Sequence, residues 1–185
     1  MSHGFELEPA KGPAVPDNPA VAGLSRLLDR FNHALLMLSM LALILTALVL
    51  TYSVVSRYFF KVATDWQDEA SVFMLIGVTF FCSAYVQSYR GHIGIEALAG
   101  LLPRGVNRAR MIFVDLLSFL FCGFFSWKSW TLFHEALKEG QTTTSTFAPP
   151  LWIPYSIMAF GMTLLTVQLL VQLAARLTNA RGNHV

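Results

Sequence analysis

Charge is scarce in this chain. Asp, Glu, Lys and Arg make up 13% of its 185 residues, about half the roughly 25% usual in soluble domains. The formal net charge is only +2, and the basic residues are spread along the chain, not gathered in a stripe. No nucleic-acid partner is expected from that pattern; anionic membrane lipids are enough to account for it. Cysteine is also rare. Cys82 and Cys122 both stand inside apolar stretches, which provides neither a disulfide framework nor a zinc-ligand spacing and suits small buried apolar side chains. There is no glycine-rich phosphate loop, no H-E-x-x-H motif and no nucleophile beside a base. His33, His92 and His134 fall at the margins of apolar stretches, and His3 and His184 lie outside them, so no pair is placed to ligate haem from within a helix bundle. No cofactor, metal or catalytic activity is expected.

Apolar sequence is abundant instead. The chain is 55% hydrophobic, and its mean hydropathy is +0.54. Four long runs account for this, at about Ala34 to Ser56, Ala70 to Tyr89, Met111 to Phe133 and Leu151 to Ala175. About 20 apolar residues in a helix cross about 30 Å of hydrocarbon, so each run is long enough to span a bilayer. The first starts too late and runs too long for a secretory signal. The expected fold is an all-α membrane protein with four transmembrane helices and a short amphipathic N-terminal helix. Residues 1–20, with Pro9, Pro13, Pro16 and Pro19, are expected as a disordered tail. In residues 21–33, Leu24, Leu27, Leu28 and Phe31 alternate helically with Arg26, Asp29, Arg30 and His33. This segment either lies on the membrane surface or extends the first span. Residues 34–175 form the membrane domain and 176–185 a cytoplasmic tail.

Orientation follows from the basic residues. With the N-terminus inside, Lys11, Arg26, Arg30, Arg90, Arg104, Arg108, Arg110, Arg176 and Arg181 are all cytoplasmic, against Arg57, Lys61 and Lys138 outside. Both termini are therefore expected in the cytoplasm. Tyr58, Trp66, Trp127, Trp130 and Trp152 are expected as aromatic anchors at the outer face. The segment from Ile93 to Pro103 is expected to form an interfacial turn at the inner face.

The spans carry stripes of small or hydroxyl side chains. Ser39, Ala42, Thr46 and Ser53 share one face of the first; Asp115, Ser118, Cys122, Ser126 and Ser129 share one face of the third. Such faces are expected to pack against helices, not to line a pore. In the fourth span the stripe is Gly161, Leu165, Gln168 and Gln172. Gln168 lies deep enough to need a hydrogen-bonding partner, whereas Gln172 should reach the inner surface unaided. Two charges fall within a span. Asp115 is expected one turn from the inner end and Lys128 near the outer end, where it can snorkel.

The stretch between the first two spans is more specific than hydropathy. Span one ends in Ser56-Arg57-Tyr58-Phe59-Phe60, and Trp66-Gln67-Asp68-Glu69 opens span two. Span two ends in Tyr89-Arg90-Gly91-His92-Ile93-Gly94-Ile95-Glu96, followed by Leu101-Leu102-Pro103. In order and spacing these resemble the small membrane subunit of tripartite ATP-independent periplasmic (TRAP) transporters, over about Arg26 to Ala175. Asp68 beside Glu69 is more acidic than the family's W-x-x-E pattern. The resemblance implies a bacterial inner-membrane protein that joins a large multi-span permease subunit and a periplasmic solute-binding protein. It would serve as a static scaffold in the import of an organic anion, often a carboxylate and typically sodium-coupled. Arg57, Tyr58, Trp66, Asp68, Glu69, Arg90, His92 and Gln168 are then the candidate structural and interface residues. The alternatives are a self-sufficient oligomeric transporter and a structural or signalling four-span protein. A transporter of its own would need a membrane carboxylate, for which Asp115 stands alone. Arg57 is placed to reach Asp68 or Glu69 across the first outer loop.

Overall fold

The structure, a computed structural model, describes residues 19–89 and 104–182. The segment from Ile93 to Pro103, with Arg90 and His92, and the tail up to residue 18 lie outside them. Four helices fill the described chain: α1 Pro19–Phe60, α2 Asp65–Ser88, α3 Arg104–Glu139 and α4 Trp152–Gly182. Each is long and apolar enough to cross a membrane. Pro19 opens α1, where a missing N–H costs nothing. No break separates residues 21–33 from the first span, so the amphipathic segment and the span are one helix.

The helices pack in the order α1, α2, α4, α3. α4 is the hub. It packs on α2 and α3 and touches α1, and its apolar stretch is 33% buried against 11% for each of the others. Small residues make this possible. Ala84, Ala136 and Ala159 are completely enclosed. At Gly161 the backbone of α4 comes so near α2 that a Cβ would stand 2.6 Å from the Cβ of Phe80 and 3.0 Å from its backbone. The outward surfaces are rich in exposed Leu, Val and Phe, a composition suited to hydrocarbon or to another apolar helix.

Both short connections, residues 61–64 and 140–151, lie at one end of the molecule, termed here the loop end; the start of α1 and the close of α4 lie at the terminal end. α3 runs six residues past Phe133, where hydropathy had ended the span, to Glu139. Glu135 to Glu139 are good helix formers, and the first stop signal is Gly140. Gly140 adopts φ +62°, and the next N–H, of Gln141, returns to the Ala136 carbonyl at 3.1 Å. This is the left-handed glycine cap that ends many helices. The loop then folds on itself, with Thr143 N–H on the Pro149 carbonyl at 3.0 Å and Leu151 N–H on the Gln141 carbonyl at 2.9 Å.

Candidate functional site

A polar clasp closes the loop end. Thr64 caps α2 with its carbonyl, which receives the N–H groups of Gln67 and Asp68. Its hydroxyl makes no helix cap and is taken by Arg57 instead, through Nε at 3.1 Å and Nη2 at 2.6 Å. The same Nη2 donates to Asp68 Oδ2 at 2.7 Å. Ser53, one turn earlier on α1, donates to Asp68 Oδ1 at 3.2 Å. Arg57 thus ties the last turn of α1 to the first turn of α2. Its carboxylate partner is Asp68, which also faces the positive end of the α2 dipole. Glu69 turns to the other connection and accepts from Thr143 Oγ1 at 2.7 Å, while its Oε2 is buried without a partner. Tyr58 and Trp66 stand outside the clasp, 78% and 51% exposed. Tyr58 packs edge-on against Phe59.

Amide pairs hold the terminal end. Asn32 Nδ2 donates to Gln168 Oε1 at 3.4 Å, joining α1 to α4. Gln87 Nε2 donates to Gln172 Oε1 at 2.9 Å, and Gln172 Nε2 donates to the Gln87 carbonyl at 2.8 Å, joining α2 to α4. Gln172 is therefore cross-linked into the bundle and does not reach the surface unaided. Asn32, Gln87 and Gln168 are buried. Asn32 and Gln87 escaped the sequence reading because each is one polar residue near the end of an apolar run, Asn32 just before the first and Gln87 just inside the second. Their signal was an amide on the side of α1 or α2 that also carries small residues.

The hydroxyl stripes are helix-packing faces. Ser39, Thr46 and Ser53 of α1, and Ser126 and Ser129 of α3, are buried. Thr46 and Ser129 donate to the preceding turn, on the Ala42 and Phe125 carbonyls, each at 2.7 Å, while the Ser39 hydroxyl is buried without a partner. Ser53 reaches Asp68 of α2, and Thr163 of α4 joins its helix to α3. Thr163 donates to the Ala159 carbonyl at 2.7 Å. Its oxygen is then left to accept from Trp130 Nε1 and from the Ser126 hydroxyl, both at 3.0 Å.

Those two contacts fix the register of α3 and the level of its charges and aromatics. Thr163 stands midway along the apolar stretch Trp152–Ala174. Trp127, Lys128 and Trp130 are therefore level with the middle of α4's apolar stretch, away from the loop end. The helix that carries them continues to Glu139, six residues beyond the apolar run that ends at Phe133. Lys128 is exposed, and its Nζ lies 5.7 Å from the centre of the Trp127 ring. Asp115, by contrast, is buried far down α3 toward the terminal end.

A comparison with curated proteins returns no match. The family model described as "Tripartite ATP-independent periplasmic transporters, DctQ component" matches residues 45–179. That match takes in the clasp, the glutamines of α2 and α4, and the whole α3–α4 seam. With more than half of its length matched and four membrane-spanning helices in place, the chain belongs to the DctQ family, the small components of TRAP transporters.

Proposed function

We propose that this chain is the scaffold component of a bacterial inner-membrane importer, with both termini in the cytoplasm and the loop end facing the periplasm. It joins a large multi-span permease subunit, which carries an organic anion, a carboxylate by class, together with sodium. A periplasmic binding protein delivers that anion. The chain itself moves no solute. Residues 1–20 and 176–185 serve as tails, residues 21–33 meet the inner headgroups, and 34–175 make up the membrane body in contact with lipid.

The family match over residues 45–179 carries this reading. The geometry agrees with it. The interhelical polar contacts described above join pairs of helices, and the groove of about 220 Å³ among Leu38, Ala42, Phe73, Gly77, Phe81 and Ile157 has apolar walls. These are features of a rigid support. Purification of the chain in mild detergent from cells expressing the whole operon is the test. A large multi-span protein should accompany it. Recovery of the chain alone, as a homo-oligomer that takes up organic acids, supports a self-sufficient transporter instead.

A further inference from the structure

We propose that the large subunit docks on the face of α3 centred on Lys128, and that the surface it presents there carries a carboxylate at the same depth. The inference rests on the scaffold reading and names the surface it uses.

Lys128 is exposed and level with Thr163, the midpoint of α4's apolar stretch. Ionisable groups at that depth pair with one another, with carbonyls or with a water-filled cavity. The Arg57–Asp68 ion pair lies at the loop end, and among the described residues Lys128 meets the Trp127 ring, its Nζ standing over it 5.7 Å from the centre. Snorkelling does not solve the problem. The headgroups are roughly 15 Å from the midplane on either side, and side chains on a helix lean toward its N-terminus, here away from the loop end. The two outer helices of the row differ in this respect. α1 has no charged residue between His33 and Arg57, so its outward face can meet lipid without cost. α3 packs on α4 alone among the helices it closely meets, and beside Lys128 it presents exposed Phe121, Phe124 and Trp127. Aromatic side chains are enriched at protein contacts, and a charge at this depth calls for a partner of opposite sign. Charge complementarity identifies its centre.

The test uses the complex with its large subunit, tagged on this chain and purified in mild detergent. Lys128→Glu should reduce the recovered large subunit at least tenfold, Lys128→Met should reduce it less, and Lys128→Arg should retain it. A photo-crosslinker replacing Phe124 should attach to a large-subunit helix that holds an Asp or Glu; one replacing Leu45 on α1 should not. Changing that acidic residue to Lys should restore assembly with Lys128→Glu. Undiminished recovery with Lys128→Glu overturns the proposal and leaves the scaffold reading intact. So does crosslinking from position 124 only to lipid or to a second copy of this chain. If the wild-type chain brings down no large subunit, both fall.

Discussion

Arg57 illustrates how much one side chain can organise and how little energy that takes. It meets a buried hydroxyl, Thr64, and an exposed carboxylate, Asp68, whose side chains are 61% and 49% exposed for Arg57 and Asp68 respectively. Pairs this exposed contribute about 0–1 kcal/mol. A double-mutant cycle with Arg57→Ala and Asp68→Ala, read by unfolding in detergent, should give a coupling in that range. Glu69→Ala with Arg57→Ala should be additive, because Glu69 bonds Thr143. A larger coupling to Glu69 than to Asp68 contradicts the clasp. The Asn32–Gln168 pair has a different balance, because it is enclosed. Membrane hydrogen bonds average about 0.6 kcal/mol, but an orphaned buried amide costs about 1–3 kcal/mol. Gln168→Leu should therefore destabilise more than Asp68→Ala, and adding Asn32→Leu should recover part of the loss. Equal and additive effects argue against the pair.

At the scale of elements, the helices were legible and their ends were not. Apolar runs long enough to span a bilayer identified all four, and the small-residue stripes anticipated the packed faces of α1 and α3. α3 was misjudged because hydropathy stops at Phe133 while the backbone stops at Gly140, where a left-handed cap ends the helix. The cue was present in the run of good helix formers from Glu135 to Glu139. In the longer α3, Lys128 is a charge level with the middle of α4's apolar stretch. At a bilayer centre that costs roughly 2.5–3.5 kcal/mol if unpaired. Partners across helices were also hidden. Ser126 and Trp130 read as separate features, and Thr163 was not singled out, because only the packing shows that the three share one oxygen. The α2–α4 seam depends on Gly161, since a Cβ there would overlap Phe80. Gly161→Leu should lower stability by about 1–3 kcal/mol through overpacking, seen as a lower melting temperature in detergent. Gly123→Ala, whose Cβ would meet Thr166 at an ordinary 3.8 Å, should change little. The reverse order contradicts the packing described.

The whole molecule is a row of helices around α4, with a polar clasp at one end and amide pairs at the other. The proposed orientation rests on the asymmetry of the basic residues. Single cysteines at Thr144 and Asn183, in a chain lacking Cys82 and Cys122, provide a check with a membrane-impermeant thiol reagent on intact cells. Position 144 should label and 183 should not; labelling at 183 reverses the topology. The proposed role is support, not carriage, and the polar contacts at both ends of the bundle, which join α1 to α2 and each of these to α4, agree with it. Uptake by proteoliposomes under a sodium gradient tests that claim most directly, comparing this chain alone with this chain plus the large subunit and the binding protein. Organic-acid uptake should occur only with the full set. Gradient-driven uptake by this chain alone would contradict the account.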